Sequence, residues 1–121
     1  MDKARRFEDL LVWQESRKLV QNIYRASESW RDYGLRDQIR RAAVSIVSNI
    51  SEGYERETRE ELVRYLYIAR GSAGEVRAQL YVAIDLQYLS QNDYELIYDI
   101  ADHIIRMLAK LIATTKTRKR G

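Results

Sequence analysis

Cysteine and proline are both absent, and glycine occurs only five times in 121 residues. Without cysteine there are no disulfides, no thiol chemistry and no thiolate metal sites. Such a chain suits a reducing compartment. Without proline no residue locks φ or removes a backbone donor, so few breakers interrupt the chain. No apolar run approaches the roughly 20 residues that cross a bilayer. The opening from Met1 to Arg6 is charged and lacks the apolar stretch of a secretory signal. A cytoplasmic protein without a membrane contact is the expectation.

The chain is 45% hydrophobic and 32% charged, the mix of a folded domain rather than a disordered one. Its length fits a single domain. A net charge of +3 is mildly basic and permits anionic partners without demanding them.

Helical periodicity dominates. Over 9–29, Val12, Ser16, Leu19 and Ile23 recur at helical spacing, with Trp13, Val20 and Tyr24 beside them. The segment 30–34 reads as a connector broken by Gly34. A second helix over 35–53 carries Leu35, Ile39, Ala43, Ile46 and Ile50, with Gly53 as its stop. A third over 58–89 opens on Thr58 and Glu61, which read as a capping box. It carries Leu66, Ala69, Ala73, Val76, Leu80 and Ala83. A turn capped by Ser90 leads to a fourth helix over 91–113, with Ile97, Ile100, Ile104, Met107 and Leu111 as its main stripe. Ala101, Ile105, Leu108 and Ile112 widen that stripe, and the segment 114–121 reads as a frayed basic tail. Four amphipathic helices with short connectors predict an all-α, antiparallel up-down-up-down four-helix bundle.

The third helix has a second face of small residues, Gly71, Gly74 and Ala78, between Tyr67 and Tyr81. Small residues let another helix approach, and tyrosines supply rigid amphipathic contact area. The stripe either packs inside the bundle or forms a subunit interface.

Signatures of enzyme chemistry are missing: there is no glycine-rich phosphate loop, no nucleophile elbow and no HExxH. Asp99 and His103 stand four apart, a spacing that suits proton transfer but is far more common in solvated helix pairs. A carboxylate-bridged metal site would need inward Glu-x-x-His motifs, which are absent. Asp85, among apolar residues, reads as a buried polar contact. No cofactor is implied and the chain reads as a non-enzyme.

Basic residues gather on the second and third helices. Arg36, Arg40 and Arg41 lie along one helix, and Arg56, Arg59 and Arg64 cluster around the next turn. Lys116, Arg118, Lys119 and Arg120 add four charges in the tail. Together they could follow a nucleic-acid backbone through phosphate contacts. Interleaved Glu52, Glu55, Glu57, Glu60 and Glu61 fit a mixed, solvated surface equally well.

Three runs carry a family resemblance: Phe7 to Gln14 (FEDLLVWQ), Gln38 to Gly53 (QIRRAAVSIVSNISEG) and Leu66 to Glu75 (LYIARGSAGE). They resemble the four-helix-bundle family named after intervening sequences in bacterial 23S ribosomal RNA genes, over nearly the whole chain. The resemblance implies a four-helix bundle assembled as a ring-like homopentamer, with no catalytic activity. A related bundle, the accessory protein of diversity-generating retroelements, partners a reverse transcriptase and binds nucleic acid through a basic surface. RNA binding is therefore the leading expectation. A protein-interaction scaffold without a specific RNA target is the alternative. The family often has proline where Val47 stands, so the second helix here should run unkinked, which bears on bundle curvature and ring size. Ser45, Ser48 and Glu52 are expected with Arg41 on the side away from Ile39, Ile46 and Ile50. Asn49, beside Ala42, is expected to make a structural hydrogen bond between helices or subunits.

Overall fold

A computed structural model describes residues 6–118, and among these every regular element is helical. A single 3-10 turn, Phe7–Asp9, precedes four helices: α1 Leu11–Ala26, α2 Tyr33–Tyr54, α3 Arg59–Asp85 and α4 Gln91–Thr117.

The expected core stripes are buried. Leu19, Ile23, Ile39, Ile46, Ile50, Leu66 and Leu80 lie at 0–1% exposure in one cluster drawn from all four helices. Each such side chain contributes about 1.5–3 kcal/mol relative to exposure. Two buried serines are satisfied locally: Ser16 of α1 donates to the Val12 carbonyl at 2.7 Å, and Ser27, just past its end, donates to that of Ile23 at 2.6 Å. On α4 the buried stripe is Ile97, Ala101, Ile104, Leu108, Ile112 and Thr115. Ile100, Met107 and Leu111, expected at its centre, flank it half-buried.

Helix ends depart from expectation where long-range contacts decide them. Asp32 caps α2 by accepting from the Leu35 amide at 3.0 Å, so Gly34 falls inside the first turn and breaks nothing. Trp30, expected in an open connector, is only 6% exposed and donates to the Tyr88 carbonyl at 3.0 Å. Gly53 does not stop α2 but lies buried within its last turn. α2 is continuous through Val47 over 22 residues, as expected without proline there.

Thr58 caps α3 by accepting from the Glu61 amide at 3.1 Å, the expected half of a capping box. The return bond from Glu61 is not formed among the described residues. α3 ends at Asp85 rather than 89. Gln87 adopts φ of 65° while Tyr88 N–H reaches the Ala83 carbonyl and Gln87 N–H that of Ile84. This is the left-handed stop usually given to glycine, and it swings Leu89 back into the core. Asp85, at the α3 terminus, is exposed rather than buried. Ser90 caps α4 as expected, accepting from Asp93 N–H at 3.1 Å. α4 then runs past 113, so 114–117 is helix and not frayed tail. Thr115, 3% exposed, extends the buried face one further turn.

Side-chain bonds fix which ends meet. Trp13 donates to Ser51 at 2.9 Å, joining the start of α1 to the end of α2. Arg25 pairs with Asp93 at 3.2 Å, joining the end of α1 to the start of α4. Tyr88 donates to Asp32 at 3.2 Å, bracing the α3–α4 connector against the start of α2.

Candidate nucleic-acid and self-association surfaces

The basic residues do not form one surface. Arg36, Arg40 and Arg41 stand near the start of α2, whereas Arg56, Arg59 and Arg64 surround its far end. The step of fifteen positions from Arg41 to Arg56 separates the groups by roughly 22 Å at 1.5 Å per residue.

At the first end, Arg40 is half-buried and committed within the fold. Its Nε donates to Ser27 Oγ at 2.8 Å and its Nη2 to the Tyr24 carbonyl at 3.1 Å, and the guanidinium lies 4.3 Å from the Tyr24 ring centroid. It closes the carboxyl end of α1, where carbonyls lack helical partners. Arg36 stacks on Tyr33 and pairs with Asp37, leaving Arg41 exposed and outside any ion pair of the described residues. Arg40→Ala is therefore expected to lower stability by about 1–2 kcal/mol, discounted for partial exposure from the range for charged hydrogen bonds. Urea denaturation reads this. An unchanged midpoint would release Arg40 from its structural role.

At the second end three elements converge. Arg59 donates to the Arg118 carbonyl, tying the start of α3 to the end of α4. Lys116 donates to the Tyr67 hydroxyl at 3.2 Å, and Arg70 lies 5.0 Å from the Tyr67 ring centroid. Arg56 and Arg64 both lie over Tyr65, at 5.1 and 5.4 Å. The hydrogen bond to Tyr65 holds Arg56 above the usual guanidinium range, with Glu52 and Glu61 adding to it. Burial raises the half-buried Tyr54 phenol, and Arg118 opposes that shift. Arg70, Tyr65 and Tyr54 belong to this end although sequence reasoning did not select them. The available signal was the i,i+3 spacing of Tyr67 and Arg70. Lys119 and Arg120 lie outside the described residues.

The second face of α3 points outward. Tyr67 is 40% and Tyr81 50% exposed, and a Cβ added at Gly71 or Gly74 would meet nothing within 4 Å. Packing inside the chain therefore does not explain these glycines. Tyr81 joins Tyr94 and Tyr98 in a cluster with centroid separations of 5.7–6.0 Å. Burial, followed by Tyr81, raises the Tyr94 phenol, and the hydrogen bond with Tyr81 raises Tyr98.

Two adjoining hollows run between the outer faces of α1 and α2. One is lined by Tyr24, Asp37, Arg40, Arg41, Val44 and Ser45, the other by Arg17, Val20, Gln21, Val44 and Val47. Arg41, Ser48 and Glu52 are exposed as expected, but Ser45 turns toward α3 and lies 2.9 Å from Ser72 Oγ. Asn49 donates to the Ser45 carbonyl at 2.8 Å and to its hydroxyl at 2.9 Å, so its bonds stay within α2 and reach α3 only through Ser45. At a half-buried position the nearer backbone carbonyl, one turn back, wins over a partner on another helix.

Asp99 and His103 are both exposed, with no bond between them among the described residues. Between them in the sequence, Asp102 is the carboxylate that is engaged, 3.0 Å from Arg77 and 3.3 Å from Arg106. Among the described residues no group of three or more acidic or histidine side chains is placed to hold a metal ion, and no helix is long and apolar enough to cross a membrane.

Four amphipathic helices around one apolar core, with aromatic and cationic side chains layered on the surface, define an all-α four-helix bundle. The chain belongs to the 23S rRNA-intervening sequence protein family, whose model matches residues 8–110. It is similar in structure to a protein of unknown function from the S23 ribosomal protein family of Bacteroides thetaiotaomicron VPI-5482. That likeness has a TM-score of 0.80 at 25% identity, covering 84% of this chain and 98% of that one. No curated protein matches.

Proposed function

We propose that the chain is a non-enzymatic, self-associating RNA-binding protein of the cytoplasm. Its helices are read as antiparallel, up-down-up-down. That arrangement is supported by the meeting of the start of α1 with the end of α2 and of the start of α3 with the end of α4. The observation that carries RNA binding is the gathering of Arg56, Arg64, Arg70 and Lys116 over Tyr65 and Tyr67, at the end where Arg59 is joined to the Arg118 carbonyl. Cations beside aromatic rings suit both phosphates and unstacked bases. This end is preferred over the Arg36 and Arg41 end because four cations lie over Tyr65 and Tyr67 here, against two, Arg36 and Arg40, over Tyr33 and Tyr24 there. The exposed stripe of Tyr67, Gly71, Gly74, Ala78 and Tyr81 supports self-association, read as a ring-like homopentamer by likeness to the family.

The test replaces Arg59, Arg64, Lys116 and Arg118 together with alanine and follows binding of a structured RNA against salt. Affinity is expected to fall at least tenfold. The log–log salt slope should shrink by about 3, from roughly 0.7 per lost contact on single strands. Arg36→Ala with Arg41→Ala is expected to leave both nearly unchanged. Equal affinity and slope in the fourfold variant would overturn the reading.

A second reading, a protein-interaction scaffold without a specific RNA target, is favoured by the Tyr81, Tyr94 and Tyr98 cluster, which carries the aromatic anchors common at protein interfaces. A stoichiometric protein partner recovered after nuclease treatment would support it.

A further inference from the structure

Phosphates placed on the cations around Tyr65 and Tyr67 leave the bases of a bound RNA without a partner. A hollow of about 190 Å³ lies where the 3-10 turn meets the carboxyl end of α2, lined by Arg6, Phe7, Glu8, Tyr54 and Glu55. We infer that this hollow takes an unpaired guanine base of the bound RNA. The inference rests on the RNA-binding reading and names the nucleotide that this surface selects.

The hollow adjoins the cationic end. Glu55 directly precedes Arg56, and the Arg118 charge reaches the Tyr54 phenol. The Arg118 carbonyl in turn accepts from Arg59. The space is smaller than the roughly 300–1,000 Å³ of pockets that enclose drug-sized molecules. It holds one base and leaves the sugar and phosphate outside, on the side of Arg59 and Arg118.

Its walls are set by the fold. The Phe7 ring centroid lies 5.2 Å from that of Trp13 in edge-on contact, and Trp13 is held by Ser51. A half-buried Phe7 therefore offers a fixed aromatic wall for stacking. Tyr54 closes the last turn of α2, half-buried, and its hydroxyl makes no hydrogen bond among the described residues. Glu55 caps the same helix, its N–H bonded to the Glu52 carbonyl at 3.1 Å. Its position thus comes from the helix end, and its exposed carboxylate is in no ion pair among the described residues.

Charge and donor pattern decide what enters. The lining carries two carboxylates and one guanidinium, and Arg6 is drawn to Glu8 at 4.0 Å and to Asp9 at 3.8 Å. Nearby Arg56 is paired with Glu52. The carboxyl end of α2 adds a negative partial charge of its own. A phosphate is repelled from such a space, whereas a neutral ring edge bearing N–H donors is drawn in. Guanine alone among the four bases presents adjacent N–H donors from N1 and N2, which match the two oxygens of one carboxylate. Glu55 is that carboxylate. Guanine O6 and N7 are acceptors, and the Tyr54 hydroxyl and Arg6 are the donors on hand for them.

The experiment measures binding of the full chain to a hairpin RNA with one guanosine in its loop, by fluorescence anisotropy at fixed salt. Comparison hairpins carry inosine, which lacks the 2-amino group, or adenosine at that place, with the stem guanines paired in all three. The guanosine hairpin is expected to bind about tenfold more tightly than either, toward the lower end of the discrimination that a bidentate base contact gives. Glu55→Gln, a change at an exposed side chain, should bring the three hairpins to equal affinity. If they bind the wild-type chain alike, with salt-dependent affinity, this inference is overturned and the RNA-binding reading stands. A guanosine preference that survives in Glu55→Gln places the selection elsewhere and also overturns it. If no hairpin binds in a salt-dependent way, the RNA-binding reading fails and the inference with it.

Discussion

Trp30→Ala is expected to cost about 3–5 kcal/mol of folding stability, the range for removing a buried tryptophan. Against a typical total of about 5–15 kcal/mol, such a loss brings the bundle close to unfolding at ordinary temperature. The indole is 6% exposed and packs against the core from the α1–α2 connector. Its ring centroid lies 5.6 Å from that of Tyr88, and its Nε1 satisfies the Tyr88 carbonyl at 3.0 Å. Tyr88 in turn donates to Asp32, the cap of α2. One side chain thus ties the α1–α2 connector to the α3–α4 connector and steadies the start of α2. Trp30→Phe keeps most of the apolar burial but leaves the carbonyl without its donor. Its expected cost is smaller, about 1–3 kcal/mol. Urea denaturation with an unchanged m-value measures both. A loss below about 1 kcal/mol for the alanine variant would mean that the two connectors are held together by something else.

Trp30 also marks the boundary of what could be read from the chain. Ile39, Ile46, Ile50, Leu66 and Leu80 were legible because a 3.6-residue period belongs to each helix alone and needs no neighbour. Thr58 and Ser90 were legible for the same reason, since a cap bonds to an amide three residues on. Trp30 was not, because its burial depends on Tyr88, 58 residues away in the sequence. The end of α3 was missed because Gln87 stands where glycine usually signals the left-handed stop. The extension of α4 was missed because Thr115, polar by composition, faces the core.

The candidate site was legible in part. The arginines were identified by type, but a list of cations carries no distances. Arg40 looked like its neighbours until its bonds to Ser27 and Tyr24 placed it in the fold. Lys116 looked like a tail residue until its bond to Tyr67 placed it beside Arg70. The outward stripe of α3 was visible as a pattern, whereas the emptiness around Gly71 and Gly74 is a three-dimensional fact.

Gly53→Leu is expected to destabilise by about 1–3 kcal/mol, the usual cost of forcing volume into a filled site. A Cβ at Gly53 would lie 2.9 Å from Tyr65 Cβ and 3.0 Å from Leu62 Cδ1, both on the early turns of α3. Leu62 Cδ1 ends a flexible side chain and can swing away, but Tyr65 Cβ is fixed to the α3 backbone, and 3.4 Å away stands the Leu62 carbonyl oxygen. The two helices must part before the side chain fits. Helix propensity works in the opposite direction, because replacing glycine inside a helix gains up to about 1 kcal/mol. Gly53→Ala balances the two effects and should lose less than Gly53→Leu. Gly34→Ala isolates the propensity gain, since a Cβ there meets only Asp32 Oδ1 at an ordinary 3.7 Å. It should stabilise by roughly 0.5–1 kcal/mol. The order of urea midpoints is then Gly34→Ala above wild type, with Gly53→Leu lowest. The Gly53→Leu shift should also reach the candidate RNA site, because Tyr65 carries Arg56 and Arg64 on its ring. Separating α2 from α3 at this level moves the Tyr65 platform away from Arg56 at the α2 end, so RNA affinity should fall together with stability. A Gly53→Leu variant as stable as wild type would mean that α2 and α3 do not approach this closely, and the site built across their junction would lose its support.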